Sequence, residues 1–221
     1  MSHTAVLFDL GGVVLGSPLQ AIRDYEADLG LARNAINRVA AETAPSGAWS
    51  RLERGELEMD GFYPAFEADC RAAGLEIDAR RMMQRMTAAS GPRPEMLAAI
   101  ARLRENAFRV GALTNNWTHT ESHTEARPAA STRDEMPAIK AHFDVFIESS
   151  VEGLRKPDPA IYRVACERLE TPPEAIVFLD DIGHNLKPAR AMGMATIKVD
   201  DPGPALDELA EILGLDLLRG L

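Results

Sequence analysis

The chain has 221 residues, of which 46% are hydrophobic and 26% charged, and its formal net charge is −10. This length suffices for one domain, or for a core domain with a smaller inserted one. Because a strongly acidic protein repels phosphate backbones and anionic lipids, nucleic acids and membrane surfaces are disfavoured as partners. A small phosphorylated substrate is not excluded, since a local site can be positive within a negative protein.

The first residues of the sequence lack the basic region and the longer apolar stretch of a signal peptide. No apolar run approaches the ~18 residues that a membrane span needs. Cys70 and Cys166 lie far apart and form no CxxC motif, which is typical of free thiols in a reducing compartment. We therefore expect a cytoplasmic protein.

Five short apolar runs recur along the chain. They are too short for helices, and their continuous apolarity is typical of strands that are buried on both faces of a parallel sheet. The predicted strands are residues 5–8, 109–113, 145–147, 176–179 and 195–199. Helices are predicted between them at residues 94–106, from residue 158 onward, and at 185–192 and 205–213. This alternation predicts an α/β fold with an open, doubly wound sheet.

Two stretches depart from the alternation. Between residues 16 and 90 no strand is predicted, and helices are expected at 21–29, 35–43, 59–73 and 78–89. The sequence therefore predicts a core domain of residues 1–15 and 91–221 and a helical domain of residues 16–90. Residues 115–137 are polar and poorly periodic, which predicts a long loop.

Polar and charged residues follow four of the predicted strands. Because ligands bind outside the carboxyl ends of the strands in such sheets, we expect these residues to meet in one crevice. The segments are Asp9, Thr114-Asn115-Asn116, Arg155-Lys156-Pro157 and Asp180-Asp181.

Asp9 precedes Gly11 and Gly12. A carboxylate at this place can attack phosphorus and form an acyl phosphate, which is hydrolysed in a second step. The glycines let backbone N–H groups approach the phosphoryl oxygens. On this segment alone, a simple turn after a strand remains the alternative.

Thr114, Asn115 and Lys156 are candidate phosphate-binding residues. A hydroxyl and an amide can hold phosphoryl oxygens, although a helix cap or turn is the alternative for Thr114. Lys156 is one of only four lysines, whereas the other 20 basic residues are arginine. Its ammonium is a compact charge for a nucleophilic carboxylate and a phosphoryl group, the alternative being a solvated loop lysine.

Asp180 and Asp181 are adjacent carboxylates at the end of a buried run. Such a pair is costly unless it binds a cation or is well hydrogen-bonded. Mg²⁺ usually takes one or two carboxylates together with a substrate oxygen and waters. This predicts Mg²⁺ as the cofactor, bound directly by Asp9 and Asp181, with Asp180 supporting the ligands from outside the coordination sphere. The alternative is that the acidic pair only caps the start of a helix.

In this order, the four segments resemble the haloacid dehalogenase superfamily. The resemblance implies a Rossmann-like sheet of about five parallel strands with an inserted helical cap domain. It also implies Asp9 as nucleophile, Thr114 and Lys156 as catalytic and phosphate-binding residues, and Asp180 and Asp181 as the metal-binding pair. Segments 113–117, 142–144, 147–149 and 178–190 are similar to the phosphatase-like N-terminal domains of soluble epoxide hydrolases and of acyl-CoA dehydrogenase fusions.

One position departs from the phosphatase pattern. Most phosphatases of the superfamily carry a second aspartate two residues after the nucleophile, as a general acid and base, where this chain has Gly11. A glycine carbonyl can still bind Mg²⁺, but it moves no proton, and general acid–base catalysis is typically worth ~10²–10⁴-fold. His119, Glu121 and His123 are candidate replacements.

The predicted activity is Mg²⁺-dependent hydrolysis of a small phosphorylated metabolite through an aspartyl phosphate. A 2-haloacid dehalogenase is an alternative, but it needs no metal, so the acidic pair argues against it. Phosphonoacetaldehyde hydrolysis needs a lysine in the cap, and no lysine lies between residues 16 and 91. A third possibility is a phospho-ligand or protein-binding module that retains the fold with little turnover.

Overall fold

The computed structural model of the chain describes residues 2–89, 91–118 and 132–217. Its centre is a sheet of five parallel strands in the order β3-β2-β1-β4-β5. The strands are β1 (Ala5–Phe8), β2 (Arg109–Thr114), β3 (Val145–Glu148), β4 (Ile176–Asp180) and β5 (Ala195–Lys198). All five lie at the predicted places, and the α/β fold prediction is confirmed.

The strand order places the crevice of the sheet. From β1 the chain moves outward through β2 to β3, and it then returns to the other side of β1 for β4 and β5. The direction of winding therefore reverses beside β1, which is where open α/β sheets bind ligands. Asp9 follows β1 directly, so the sequence places it at this point.

Helices cover both faces of the sheet. Val6 and Phe8 of β1 face one buried cluster, which includes Met96 and Leu206, while Ala5 and Leu7 face another. This alternation explains why the strand is apolar at every residue. The helices that follow the inserted segment are α6 (Pro94–Glu105), α7 (Thr132–Lys140), α8 (Ser149–Glu152), α9 (Pro159–Leu169), α10 (Gly183–Ala191) and α11 (Pro202–Leu213).

Helix α7 corrects the prediction of a loop over residues 115–137. The helix begins at Thr132 although Pro137 lies inside it. Ile139 is buried and Met136 packs on the core, so burial of apolar surface outweighs poor helix propensity here.

The helical segment, residues 18–88, contains five helices and no strand among its described residues. It has a buried cluster of its own, which includes Tyr25, Phe62, Phe66 and Met82. Helix α3 was not predicted, because six residues are too few to show a periodic pattern. The helices are α1 (Pro18–Asp28), α2 (Ala35–Glu42), α3 (Ala48–Glu53), α4 (Met59–Ala72) and α5 (Ala79–Ala88).

The two connections between the helical segment and the sheet run side by side. The N–H of Gly16 donates to the carbonyl of Gly91 at 2.8 Å, and Leu15 forms a bridge with Pro92. A Cβ at Gly16 would lie 2.2 Å from the carbonyl oxygen of Ala89. The crossing is therefore tight, while the domain boundaries of 15/16 and 90/91 stay a prediction. In the described part of the chain, no helix is long and apolar enough to cross a bilayer.

Candidate active site

The predicted site residues meet at the carboxyl edge of the sheet. The backbone N–H of Asp9 donates to the carbonyl of Leu179 at 2.9 Å, which extends the ladder between β1 and β4 and places Asp9 beside Asp180. Thr114 ends β2 on the other side of β1. The local cause is that each of these residues directly follows, or ends, a buried strand.

Lys156 reaches this cluster from the loop after α8. Its Nζ lies 2.8 Å from Oδ1 of Asp9 and 2.7 Å from Oδ2 of Asp180, and its side chain is 1% exposed. Burial alone would lower the pKa of Lys156, but Asp180 and Asp9 outweigh it and raise the pKa above its usual value. Lys156 is therefore a buried cation that is held between two carboxylates.

Asp9, Asp180 and Asp181 form the acidic part of the site. Each offers a carboxylate oxygen, and these oxygens lie within 4.8 Å of one another. Burial, followed by the charge of Asp180, raises the pKa of Asp181 to about 7. Burial also raises the pKa of Asp9, and the charges of Asp180 and Asp181 add to this against the opposing effect of Lys156. Three carboxyl groups thus lie close together beside a single buried lysine.

This arrangement fits a divalent cation. Carboxylate oxygens are hard ligands that suit Mg²⁺, and a cation would offset the burial of these carboxylates and the repulsion between them, which together raise the two pKa values. Asp9 and Asp181, with the carbonyl of Gly11, are the predicted ligands. Within the described residues, this is the only group of three or more acidic, histidine or cysteine side chains close enough to hold a metal ion.

Asp180 is held in place by hydrogen bonds to its carboxylate. Its carboxylate accepts hydrogen bonds from the N–H of Ile182 at 2.8 Å and from the Asn185 amide at 3.1 Å, in addition to Lys156. Both oxygens are thereby engaged, so Asp180 orients Lys156 and the start of α10. Helix α10 begins at Gly183, so Asn185 lies in its first turn with its amide on Asp180.

The loop after Asp9 passes close to Asp181. Gly12 has a φ of +82°, and a Cβ there would lie 2.1 Å from Oδ2 of Asp181. The guanidinium of Arg93 donates to the carbonyl of Gly12 at 3.0 Å and holds the loop from the other side. Sequence reasoning missed Arg93, because nothing in the sequence relates a helix start at residue 93 to this loop.

Replacement of Gly12 by alanine is expected to displace Asp181. The backbone conformation alone should lower the free energy of unfolding by about 1–2 kcal/mol, because alanine disfavours a left-handed φ. The displaced carboxylate should also weaken Mg²⁺ binding, measured as the metal-induced rise in Tm. Gly74→Ala is the matched control, since Gly74 lies in the helical segment with a similar φ of +78° and a Cβ there would meet nothing within 4 Å. If the two variants lost the same share of the metal-induced rise in Tm, the contact between Gly12 and Asp181 would not serve metal binding.

Asn115 and Thr114 lie beside Lys156. The amide of Asn115 accepts the Lys156 N–H at 2.9 Å and donates to the Lys156 carbonyl at 3.1 Å. Thr114 is buried, and its hydroxyl makes a long contact of 3.4 Å with the Asn115 carbonyl. Asn115 thus holds the backbone of Lys156, and direct contact of either residue with substrate stays a prediction. His119, Glu121 and His123 lie outside the described residues.

The helical segment and the sheet enclose a cavity of about 1460 Å³ above these groups. Its lining includes Asp9, Gly11, Lys156 and Asp181. Sequence reasoning also missed Glu53, which reaches the cavity from α3. Apolar side chains that line the cavity include Leu19, Ile22, Trp49, Met86, Trp117 and Leu154.

A family model of haloacid dehalogenase-like hydrolases matches residues 3–193. The chain belongs to the haloacid dehalogenase-like hydrolase family. The predicted superfamily membership is thereby confirmed, and this chain is an enzyme of the hydrolase class. The candidate active site of this hydrolase is the group of residues described above at the switch point of the sheet.

Curated relatives agree with the closer likeness seen in the sequence. The hydrolase is 33% identical to bifunctional epoxide hydrolase 2 of Sus scrofa, over 99% of this chain and 40% of that protein. It is 32% identical to acyl-CoA dehydrogenase family member 10 of Mus musculus, over 100% of this chain and 20% of that protein. The hydrolase therefore spans less than half the length of these relatives.

A further relative matches along almost its whole length. The sesquiterpene phosphatase astK of Aspergillus oryzae is 26% identical over 95% of this chain and 96% of its own. Among solved structures, a haloacid dehalogenase family enzyme from Bacteroides thetaiotaomicron, in complex with magnesium and inorganic phosphate, aligns with a TM-score of 0.58. It is 18% identical and covers 92% of this chain and 98% of its own. That structure shares the fold of the hydrolase.

Proposed function

We propose that this hydrolase is a Mg²⁺-dependent phosphatase that acts on a small phosphorylated metabolite through an aspartyl phosphate at Asp9. The observation that carries the proposal is the contact between Lys156 and Asp9, which is 2.8 Å long and lies beside the acidic pair in the lining of a cavity. A buried carboxylate that is oriented by a lysine is suited to nucleophilic attack.

The reaction begins with Asp9. The N–H of Leu10 and the Nζ of Lys156 both contact Oδ1, at 2.7 and 2.8 Å, so we assign Oδ2 as the attacking oxygen. Oδ2 forms a bond to phosphorus as the bond from phosphorus to the ester oxygen breaks. Lys156, Thr114 and the backbone N–H groups near Gly11 orient the phosphoryl oxygens.

The second step regenerates Asp9. Water attacks the phosphorus of the aspartyl phosphate, which releases inorganic phosphate and the free carboxylate. Mg²⁺, bound by Asp9, Asp181 and the Gly11 carbonyl, would supply positive charge against the phosphoryl oxygens in both steps. Gly11 supplies no proton, so alcohols that leave readily as anions are the favoured leaving groups.

The relatives and the cavity support this substrate class. A sesquiterpene phosphatase matches the chain almost end to end, and a structural neighbour was solved with magnesium and inorganic phosphate. The apolar side chains around the cavity suit a metabolite that carries an apolar group beside its phosphate. The acidic pair, which suits a divalent cation, favours this function over dehalogenation.

The deciding experiment measures phosphate release from an activated aryl phosphate and from a panel of phosphorylated metabolites, with Mg²⁺ and with EDTA. We expect turnover only with Mg²⁺. Turnover that is equal in EDTA would reject the metal-dependent mechanism. Absence of turnover together with tight, Mg²⁺-dependent binding of inorganic phosphate would favour the binding module instead.

Mg²⁺ is also expected to stabilise the fold. Because burial and like charges disfavour the carboxylate of Asp181, Mg²⁺ should raise Tm, and Asp181→Asn should abolish that rise. In EDTA, Asp181→Asn should be at least as stable as the wild-type protein, since it removes one of the three mutually repelling charges. Thermal unfolding in both conditions checks this. An equal rise in Tm with Mg²⁺ in Asp181→Asn and in the wild-type protein would contradict the assignment of Asp181 as a metal ligand.

A further inference from the structure

Glu53 connects the helical segment to the loops that carry the site. It lies at the end of α3, and its side chain is 8% exposed. Within the helical segment its Oε1 accepts the Trp49 Nε1–H at 3.0 Å. From the other side its Oε2 accepts Arg155 Nε–H at 2.5 Å and the Asn115 amide at 3.4 Å. A carboxylate so deeply buried requires such donors, and two of the three belong to the sheet side.

Arg155 and Asn115, the two donors from the sheet side, are both connected to Lys156. Arg155 precedes it in the chain, and Asn115 binds its N–H and its carbonyl at 2.9 and 3.1 Å. The Glu53 carboxylate is therefore linked to the backbone of Lys156 in two ways, through the peptide bond from Arg155 and through the hydrogen bonds of Asn115. The Nζ of that lysine in turn contacts Asp9 at 2.8 Å.

The backbone around Glu53 is seated on the sheet side as well. The hydroxyl of Ser149 donates to the Glu53 carbonyl at 2.5 Å. Gly55 passes so close to Ser150 that a Cβ would lie 2.4 Å from its carbonyl oxygen. The rings of Trp49 and Trp117 meet edge to face, with centroids 6.4 Å apart. The end of α3 is thus the place where the helical segment docks on the site.

We propose that Glu53 is a positioning residue that couples docking of the helical segment to the placement of Lys156 and Asn115. The inference rests on the proposed phosphatase reaction and adds a residue to it. With the segment docked, Glu53 fixes Arg155 and Asn115, and these fix the lysine against Asp9. With the segment displaced, both donors lose their buried acceptor, and the lysine loses its support.

Glu53→Gln tests the coupling with little change of shape. The amide replaces one carboxylate oxygen with an NH₂ group, which must face either Trp49 or the pair Arg155 and Asn115. All three are donors, so at least one contact must break, and loss of the negative charge also weakens the contact with Arg155. Since a displacement of about 1 Å can cost ~10²-fold in rate, we expect kcat to fall by roughly 10- to 100-fold. We expect KM to change less, because the lost interaction serves the transition state.

Glu26→Gln is the matched control. Glu26 is a buried glutamate of the same helical segment, 1% exposed, and it accepts the N–H groups of Asn34 and Ile36 at 2.7 and 2.8 Å. Its replacement should lower stability but leave kcat unchanged. A fall in kcat that the two variants share would assign the effect of Glu53→Gln to weakened folding and overturn the proposal.

Two readouts need no turnover. Trp49 and Trp117 are the only tryptophans in the chain, so near-UV circular dichroism reports on their contact and hence on docking. Binding of inorganic phosphate in the presence of Mg²⁺, followed by calorimetry, reports on the placement of Lys156. Glu53→Gln should change the tryptophan signal and weaken phosphate binding, and Glu26→Gln should do neither.

The outcomes separate this inference from the proposed function. If the wild-type protein hydrolyses no ester, the proposed function fails, and phosphate binding and the tryptophan signal still decide the role of Glu53. If the wild type turns over, kcat and the tryptophan signal decide it. The proposal is overturned if Glu53→Gln and Glu26→Gln give the same result in any measurement that decides the case at hand, whether kcat, phosphate binding or the tryptophan signal.

Discussion

Asp9→Asn is expected to lower phosphate release by about 10⁴-fold or more, because removal of a catalytic nucleophile has an effect of this order. Asparagine has the same shape but cannot form the aspartyl phosphate. The change should leave the fold intact, since burial and the nearby carboxylates already disfavour the Asp9 charge and raise its pKa. Steady-state phosphate release with saturating Mg²⁺ gives the measurement.

The control for this variant is its stability. Lys156 keeps its contact of 2.7 Å with Asp180 when Asp9 is neutral, so Tm in EDTA should not fall below that of the wild-type protein. A folded Asp9→Asn protein that retains wild-type turnover would remove Asp9 from the mechanism. Loss of turnover through unfolding would show as a fall in Tm.

Lys156→Met is expected to cause the largest loss of stability. Removing one partner of a buried ion pair typically costs about 3–5 kcal/mol, because the remaining charge is left without compensation. Here two carboxylates would lose a lysine that is 1% exposed. Denaturant unfolding in EDTA should show this loss, and phosphate release should fall with it.

A second substitution separates charge from packing. Addition of Asp180→Asn to Lys156→Met should restore part of the lost stability, because it removes one of the uncompensated carboxylates. Lys140→Met is the matched control. Lys140 pairs with Glu148 at 2.6 Å but is 39% exposed, so its loss should cost ~1 kcal/mol or less. Equal losses at Lys140 and Lys156 would contradict the assigned role of the buried lysine.

The parts of the site that could be predicted from sequence share one property. Asp9 and the pair Asp180-Asp181 stand at the end of buried strands, and apolar runs reveal strands without knowledge of the tertiary fold. Lys156 was recognisable because lysine is rare in this chain. The carboxyl ends of parallel strands meet in space, so position along each strand predicted the convergence.

The residues that were missed depend on contacts between distant segments. Arg93 reaches Gly12 across 81 positions, and Glu53 reaches Arg155 across 102. Neither lies beside a strand end or in a recognisable motif. Their roles follow from how the helical segment returns to the sheet and seats on it, which no local pattern encodes.

Gly11 gives the site its particular chemistry. The loop that contains Gly11 is held by Arg93 at Gly12 and lies against Asp181. Under the proposed function, the site binds and orients a phosphoryl group but has no acid two residues after the nucleophile. The rate should therefore depend strongly on the leaving group.

The most direct test of the central claim is to trap the intermediate. Enzyme that is turning over an activated aryl phosphate with Mg²⁺ is quenched in acid, digested, and analysed by mass spectrometry. The proposed mechanism predicts a phosphoryl group on the peptide that contains Asp9, and none on that peptide in Asp9→Asn. A phosphoryl group on another residue of an enzyme that is turning over would contradict it.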